Sequence, residues 1–338
     1  MKSRDLYSLE ELTDAEIGRL LEAAASFRGG RTSSVLARRS VALVFLAPSL
    51  RTRSSMEAAI ARLGGHPVVI APGAGAWPTE VRDGVRMDGD AVEHVREAAA
   101  VLARHHAVLA IRSFPGLEDA EEDRRDPVLA AYRAHSTVPV VNMESARWHP
   151  LQALADRMTL RRELGPSLAT RRIVLTWAPH PKPLPTSVPA SFLLAAARTG
   201  AEVIVARPDA FALPPDVMAA AQAHAKRTGG TVRETADQLP AFDRAHAVYA
   251  KSWGAPEYVG RWDEEAPIRA RHAGWTIDET AMERTEDGIF LHCLPVRRGV
   301  VVTDGVLDGP RSRVIDQAED RLWTAMAVLE ELAGRTAR

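Results

Sequence analysis

The stretch VALVFLAPSLRTRSSMEAAIARL, residues 41–63, indicates both a fold class and a kind of ligand. Its apolar, β-branched start, Val41–Leu46, is typical of a buried strand. Arg51 and Arg53 then lie among hydroxyl side chains, just before the helix-favouring segment Met56–Leu63. Because the N–H groups at a helix N-terminus attract anions and arginine forks fit phosphate, we expect this turn to bind a phosphate group. Taken alone, the stretch is also compatible with a solvated basic turn at the start of an amphipathic helix.

Apolar runs alternate with helical patterns along the rest of the chain. Runs that are apolar throughout, separated by helices of ten or more residues, are typical of parallel sheets covered on both faces. The predicted strands are Val41–Leu46, Pro67–Ile70, Ala107–Ile111, Val138–Val141, Arg172–Trp177, Glu202–Ala206, Ala247–Ala250 and Gly288–His292. The predicted helices are 13–27, opened by the capping box Thr13–Glu16, and then 54–63, 91–104, 127–134, 151–164, 187–199, 214–228 and 318–333.

With 338 residues, the chain is too long for one ordinary core, so the pattern predicts two α/β domains. We place the first at 1–146, with a C-terminal helix of about 318–338 packing back, and the second at 147–317. Parallel α/β sheets bind ligands at the carboxyl ends of their strands. Candidate site residues therefore lie in the turns that follow the predicted strands. Neither a dinucleotide-binding G-x-G-x-x-G stretch nor a P-loop occurs.

Composition excludes several classes of function. The chain is 46% hydrophobic and 26% charged, and its formal net charge is −1. No overall field would attract nucleic acid or an anionic membrane, so an anion must be bound locally. Cys293 is the only cysteine, which rules out a disulfide within the chain and favours a reducing compartment. No apolar signal region follows Met1, and no uncharged run is long enough for a membrane span. We therefore expect a cytoplasmic protein.

Five short motifs follow predicted strands in a fixed order. They are Ser49–Arg53, Arg112, His149-Pro150-Leu151-Gln152, Lys251-Ser252-Trp253-Gly254 and His292-Cys293-Leu294-Pro295. Together they resemble the aspartate/ornithine carbamoyltransferase superfamily over essentially the whole chain. Within it, similarity to the N-acetylornithine carbamoyltransferase branch is carried by Ala76-Trp77-Pro78, Met87-Asp88-Gly89-Asp90, Leu175-Thr176-Trp177 and His180-Pro181-Lys182-Pro183-Leu184. The resemblance implies two Rossmann-like domains, each a parallel sheet flanked by helices, in a carbamoyltransferase fold.

The resemblance also implies an activity: the carbamoyl group of carbamoyl phosphate passes to the side-chain amine of an amino acid, without metal or cofactor. It implies a homotrimer with sites at subunit interfaces, to which Trp77 contributes from a neighbouring subunit. Residues implied to bind carbamoyl phosphate are Ser49, Leu50, Arg51, Thr52, Arg53, Trp77, Arg112, His149, Gln152, Cys293, Leu294 and Arg321, with Arg112, His149, Gln152 and Cys293 as the catalytic group. Residues implied to face the acceptor are Trp77, Val92, Glu144, His180, Pro185, Lys251, Leu294 and Arg297.

Departures from the family pattern lie mainly on the acceptor side. The thiol and carboxylate of the family's His-Pro-Cys-Gln-Glu stretch are replaced by Leu151 and Ala153. Val92 stands where the branch has an acyl-reading glutamate, Pro185 where it has asparagine, and Val301 where it has a lysine. A lost partner for a buried polar group costs about 1–3 kcal/mol, so we expect an acceptor other than acetylornithine bound in the usual way.

Several acceptors and roles stay open at this point. The resemblance fits an N-acylornithine with a succinyl-like group, or another diamino acid such as diaminopropionate in specialised metabolism. An ordinary N-acetylornithine carbamoyltransferase of arginine biosynthesis and a non-catalytic carbamoyl-phosphate-binding paralogue are the alternatives. The sequence does not identify the group that takes the amine proton, and phosphate itself could serve.

Overall fold

The structure, a computed structural model, describes residues 5–73 and 75–336. Its contacts divide the chain into two compact units. Unit 1 comprises the described residues up to Gly116, Glu121–Leu154 and the residues from Arg321 onward. Unit 2 comprises Leu117–Ala120 and Ala155–Asp320. Met1–Arg4, for which no signal region is expected, lie outside the described residues, as do the last two residues of the C-terminal helix predicted at about 318–338.

Strands and helices alternate along both units. The strands are β1 Ser40–Phe45, β2 His66–Ile70, β3 Thr79–Glu80, β4 Glu93–His94, β5 Val108–Arg112, β6 Val140–Glu144, β7 Arg172–Trp177, β8 Glu202–Ala206, β9 Thr231–Thr235, β10 Ala247–Lys251 and β11 Ile289–Leu291. The α-helices are α1 Asp14–Arg28, α2 Leu50–Arg62, α3 Val95–His105, α4 Ala120–Arg125, α5 Pro127–His135, α6 Pro150–Leu164, α7 Ser187–Ala197, α8 Pro215–Thr228, α9 Gln238–Ala241, α10 Trp262–Ala270, α11 Glu279–Glu283, α12 Asp304–Leu307 and α13 Val314–Thr336. Short 3-10 helices lie at Leu9–Glu11, Asp209–Phe211, Pro256–Tyr258 and Ala273–Trp275.

Unit 1 is built on a four-stranded parallel sheet in the order β2–β1–β5–β6. Every residue of β5 and β6 is buried, because helices supply apolar side chains to the sheet. One cluster joins Val44, Leu109 and Ile111 of the strands to Val95 of α3 and Tyr132 of α5. The order β1–β5–β6 brings the carboxyl ends of three neighbouring strands to one edge, where parallel sheets bind ligands.

Unit 2 contains a five-stranded parallel sheet in the order β11–β10–β7–β8–β9. Strands β7, β8 and β10 are almost wholly buried, and α7 is buried along its entire length. A core cluster joins Val174, Ile204 and Val248 of the strands to Phe290 and Ile277. The carboxyl ends of β11, β10 and β7 are neighbours, so this sheet also gathers three turns at one edge.

The predicted α/β class with parallel sheets is confirmed, and the capping box at Thr13 is present. The predicted start of the second helix near residue 54 is wrong. Helix α2 begins at Leu50, because Ser49 Oγ accepts from the Thr52 N–H over 3.3 Å and caps the helix. The two arginines and Thr52 therefore lie in the first helical turn. Strand β9 was not predicted, since its TVRET sequence is polar and mostly exposed at the sheet edge.

Every helix within residues 5–73 and 75–336 is too short or too polar to span a lipid bilayer.

Candidate active site

The turn after β1 forms the first part of the candidate site. Ser49 Oγ donates to Thr52 Oγ1 over 3.0 Å, and Arg321 Nη2 donates to the same oxygen over 2.7 Å. Thr52 is fully buried, whereas Arg53 is exposed and its Nε donates to Glu57 Oε1 over 2.9 Å. The Leu50 side chain is 77% exposed. The helix N-terminus, the hydroxyls and the guanidinium groups together suit an anion.

Arg112 ends β5, next to this turn in the sheet. Its guanidinium is buried and forms an ion pair with Glu144, the last residue of β6. The register pairs Ile111 with Asn142 but Arg112 with Glu144, so β6 carries one extra residue at that step. Such irregularities re-aim side chains near active sites. Here the irregularity places Glu144, expected to face the acceptor, directly against Arg112, expected to bind the donor.

His149 lies beside the same ion pair. Its Nε2 is 3.6 Å from Glu144 Oε2, and its Nδ1 accepts from the Gln152 N–H over 3.4 Å at the start of α6. Because Nδ1 is an acceptor, the proton of the neutral ring is on Nε2. Burial, and then the charges of Arg321 and Arg112, hold the pKa of His149 well below its ordinary value. The imidazole is therefore a neutral N–H donor near neutral pH. Gln152 is buried one helical turn away.

Trp77 and Val92 are exposed on unit 1, with 58% and 67% of their surface accessible. The small parallel sheet of β3 and β4 pairs Thr79 with Glu93. The Trp77 indole N–H donates to Glu93 Oε2 over 2.6 Å, next to Val92 in the chain. The exposed Trp77 ring is thus held by Glu93, the residue that follows the exposed Val92.

Unit 2 brings together the basic residues predicted on the acceptor side. Arg297 Nε donates to His180 Nε2 over 3.0 Å, and His180 Nδ1 lies 2.7 Å from Lys182 O and 3.1 Å from Lys182 N. Burial lowers the pKa of His180, as do the charges of Lys251, Arg297 and Arg269, although the Lys182 carbonyl raises it. Lys251 ends β10, and its Nζ donates to Ser252 O over 2.9 Å. The positive charges of Lys251 and Arg297 are suited to a carboxylate.

Hydrogen bonds join the loops that carry these residues. The Lys251 carbonyl accepts from the Ala178 N–H over 3.1 Å, and Ser252 Oγ donates to Pro179 O over 3.1 Å. Gly254 donates to Leu184 O over 2.9 Å, one residue before Pro185. A Cβ on Gly254 would lie 2.8 Å from the Trp262 ring, so only glycine fits this packing.

Cys293 and Leu294 lie in the turn after β11. Leu294 has a left-handed φ of 55°, and its peptide bond to Pro295 is cis. The Leu294 N–H donates to His292 Nδ1 over 2.9 Å, and the His292 N–H donates to Gln317 Oε1 over 3.0 Å. Gln317 in turn donates to the buried Asp156 over 2.6 Å. This buried chain of bonds fixes the turn.

Four residues that support the site belong to no recognised motif. Glu93 bonds to Trp77, Gln317 bonds to the His292 N–H and to Asp156, and Asn142 bonds to Ser145 and Trp148. A polar residue inside the apolar strand VVNME was the available signal for Asn142. Val301 is one of the residues that depart from the family pattern. It is buried in the unit 2 core, where valine packs better than the lysine of the family would.

Comparison with known proteins gives the class. The description "aspartate/ornithine carbamoyltransferase, carbamoyl-P binding domain" matches residues 4–162, and "Asp/Orn binding domain" of the same family matches residues 185–332. The fold and these matches define an α/β transferase. The chain belongs to the aspartate/ornithine carbamoyltransferase family and is a carbamoyltransferase, as its motifs predicted.

Individual relatives agree over nearly the full length. N-acetylornithine carbamoyltransferase of Xanthomonas campestris pv. campestris is 41% identical over 338 residues, covering 99% of each chain. N-succinylornithine carbamoyltransferase of Bacteroides fragilis is 37% identical over 294 residues, covering 87% of each chain. A crystal structure of an N-acetyl-L-ornithine transcarbamylase variant, with one glutamate changed to valine and complexed with carbamyl phosphate and N-succinyl-L-norvaline, has a TM-score of 0.95. It is 41% identical, and the match covers 97% of this chain and 99% of that one.

Proposed function

We propose that this enzyme transfers the carbamoyl group of carbamoyl phosphate to the side-chain amine of an N-acylornithine, giving a ureido product and phosphate. The observation that carries the proposal is the edge of the unit 1 sheet. There the Ser49–Arg53 turn, Arg112 and His149 follow or adjoin three neighbouring strands. We assign donor binding to residues 1–146 with the C-terminal helix, and acceptor binding to 147–317.

On the donor side, Ser49, Thr52 and the N–H groups of the first turn of α2 bind the phosphate. Arg51 and Arg53 supply charge-assisted hydrogen bonds to it. Arg112, the His149 Nε2–H, Gln152 and Arg321 contact the carbamoyl group. Neutral His149 keeps one ring N–H, on Nε2, and this group can donate to the carbamoyl oxygen.

The reaction is an attack of the neutral amine on the carbamoyl carbon. Negative charge builds on the carbamoyl oxygen while the bond to the phosphate oxygen breaks. Phosphate leaves with its electron pair and takes up the proton that the attacking amine loses. Preorganised donors aimed at such an oxygen are worth about 2.7–4 kcal/mol each in other enzymes. Arg112, His149 and Thr52 are the donors we assign to that oxygen.

On the acceptor side, we assign carboxylate binding to His180, Lys251 and Arg297. Arg297 Nε donates to His180 Nε2, and the charges of Lys251 and Arg297 both act on His180. An N-acylornithine carries an α-carboxylate, and a succinyl group adds a second one. We assign the α-carboxylate, which every N-acylornithine carries, to this basic cluster.

We also propose which acyl group the N-acylornithine carries. Val92 is apolar and exposed, and Trp77 is held next to it by Glu93. A glutamate at position 92 would repel a succinyl carboxylate, and valine does not. The relatives named for N-succinylornithine and the complex of a glutamate-to-valine variant with N-succinyl-L-norvaline support a succinyl-like acyl group.

We further propose a cytoplasmic homotrimer. Leu50, Trp77, Met87 and Val92 are large apolar side chains exposed on unit 1, and a second copy of the chain would bury them. Trp77 and Val92 would then complete the site of a neighbouring subunit. Light scattering coupled to size-exclusion chromatography tests this: a monomer at assay concentration contradicts it.

The test of the activity is a panel of amines with carbamoyl phosphate, scored by ureido colour formation. N-succinylornithine, N-acetylornithine, ornithine, aspartate and diaminopropionate are compared at equal concentration. We expect the highest kcat/KM for N-succinylornithine. Comparable turnover of the acetyl and succinyl compounds would remove the acyl assignment. Silence on every amine, with carbamoyl phosphate still bound, would indicate a non-catalytic paralogue. Arg51→Ala is expected to abolish turnover of every acceptor.

A further inference from the structure

Asn142 is the one polar, uncharged residue of strand β6, VVNME, and it is 0% exposed. It lies two residues before Glu144 and seven before His149. Between those two site residues the chain makes a turn at 145–148. The Ser145 N–H donates to Trp148 O over 2.9 Å, and the Trp148 N–H donates to Ser145 Oγ over 3.4 Å.

The Asn142 amide group holds this turn from inside. Its Nδ2 lies 2.9 Å from Tyr7 O, 3.1 Å from Ser145 Oγ and 3.3 Å from Trp148 O. Tyr7 belongs to an extended segment that pairs with β6, since the Asn142 N–H donates to Leu6 O over 2.8 Å. Both ends of the 145–148 turn are therefore tied to the sheet through one side chain.

The orientation of the amide follows from these acceptors. A reversed amide would place Oδ1 against two carbonyl oxygens, which cannot donate. In the present orientation Oδ1 has no hydrogen-bond partner within the part of the chain that the structure describes. A buried acceptor without a hydrogen-bond partner is unfavourable. The favourable contribution of the Asn142 side chain therefore comes from its two amide N–H groups.

We infer that Asn142 is a positioning residue for carbamoyl transfer: it fixes the 145–148 turn, from whose two ends Glu144 and His149 project. The register shift in β6 begins directly after Asn142 and places Glu144 opposite Arg112. Aspartate has the same shape, but it would place a carboxylate oxygen beside Tyr7 O and Trp148 O, where Asn142 has its amide nitrogen. This role rests on the proposed function, because Asn142 acts through Glu144 and through His149, to which the proposed function assigns the carbamoyl group.

The test compares Asn142→Asp with the wild type using three readouts: kcat, the KM for carbamoyl phosphate, and the inhibition constant of inorganic phosphate. Phosphate reports on the Ser49–Arg53 turn, which Asn142 does not contact. We expect kcat to fall by about 10- to 100-fold, as for a small displacement of a reacting group, while phosphate inhibition changes by less than about threefold. A kcat within about twofold of the wild type, or phosphate inhibition weakened in parallel with kcat, would overturn the inference.

Two further variants separate positioning from general destabilisation. Ser145→Ala removes one acceptor of the Asn142 amide. We expect it to lower kcat by a smaller factor than Asn142→Asp does, with phosphate inhibition unchanged. If Asn142→Asp does not fold, the kcat of Ser145→Ala decides whether Asn142 is a positioning residue. Ser136→Ala is the control. Ser136 is also buried, and its Oγ donates to Val138 O over 2.7 Å. Both residues precede Val140, the first residue of β6, and so lie at the end of the strand away from Glu144. It is expected to lower stability and leave kcat unchanged.

A wild-type enzyme that carbamoylates none of the amines would refute the proposed function rather than this inference. Calorimetry then decides the role of Asn142. Weaker binding of carbamoyl phosphate to Asn142→Asp, with inorganic phosphate bound as in the wild type, would support it. Unchanged binding of both ligands would overturn it.

Discussion

Arg321 and Thr52 are joined by a hydrogen bond of 2.7 Å from Nη2 to Oγ1, although 269 residues separate them in the sequence. Both residues are buried in unit 1. Arg321 also lowers the pKa of His149 through its charge, after burial itself. One side chain of α13 therefore orients a hydroxyl in the first turn of α2 and favours the neutral form of a histidine.

Replacing Arg321 should change the His149 titration. In Arg321→Met, one of the two cations that disfavour imidazolium is gone, so the pKa of His149 should rise towards its ordinary value of 6.5. Thr52→Val removes the hydrogen bond but keeps the charge, and should leave that pKa nearly unchanged. NMR titration of histidine-labelled protein, with His149 assigned by His149→Asn, measures both. An equal rise in the two variants would show that the charge is not the cause.

The low pKa of His149 also predicts how stability depends on pH. Below pH 6.5 the unfolded chain takes up a proton at this position before the folded protein does. This contribution to stability is therefore complete above pH 6.5 and is lost as pH falls towards the folded pKa. Denaturant unfolding between pH 7.5 and about 5.5 should show a smaller decrease in unfolding free energy for His149→Asn than for the wild type. Other histidines with lowered pKa values, such as His180 and His246, are common to both proteins and cancel in the comparison.

The buried Arg112–Glu144 pair predicts opposite effects on stability and donor binding. Its side chains are only 7% and 9% exposed, and removing one partner of such a pair typically costs about 3–5 kcal/mol. Glu144→Gln should therefore unfold more readily without ligand. It should also bind carbamoyl phosphate more tightly, because a carboxylate no longer competes for Arg112. Calorimetry measures the affinity. Glu163→Gln, which removes an acid paired with Arg162 and Arg313, is the control and should leave the affinity unchanged. Weaker binding to Glu144→Gln would contradict the prediction.

Glu93 should matter through Trp77. The indole N–H needs an acceptor, which Gln supplies and Ala does not. We expect Glu93→Ala to raise the KM for the N-acylornithine several-fold with little change in phosphate inhibition, and Glu93→Gln to stay close to the wild type. Steady-state kinetics with each substrate varied in turn measures this. Identical kinetics for the two variants would mean that the 2.6 Å contact does not position the ring.

Val92 should set the preference between acyl groups. In Val92→Glu, the added carboxylate would repel a succinyl group, so kcat/KM for N-succinylornithine should fall relative to N-acetylornithine by about tenfold or more. Val92→Ala shortens the side chain without adding charge and should change the ratio far less. The two acceptors are assayed side by side under saturating carbamoyl phosphate. A ratio that Val92→Glu leaves unchanged would place acyl recognition elsewhere.

Much of this molecule could be read from local patterns. Strands β7 and β8 were predicted with their observed bounds, because mainly apolar runs between long helices are typical of buried parallel strands. Arg112, His149, Lys251 and the turn after β1 were recognised by motif and by position after a strand. Their grouping at two sheet edges follows from the strand orders, which the structure supplies.

Other features depend on contacts that no local pattern contains. Helix α2 begins at Leu50, earlier than predicted, because the Ser49 side chain caps the helix at a position where Pro48 and Ser49 indicated a turn. No local pattern indicated that Glu144 pairs with Arg112, because this pairing depends on one extra residue in β6 that shifts the register. The β3–β4 pairing was missed, since two-residue strands carry too little periodicity to detect.

The sequence by itself determined the class of fold, the family and the chemical kinds of residue at the site, since hydrophobic periodicity and short motifs are local properties of the chain. Only the tertiary structure decided the protonation of His149, the partner of Glu144 and the roles of Asn142 and Arg321. Those depend on burial and on distances between residues far apart in sequence, and electrostatic and hydrogen-bond energies are set by such distances.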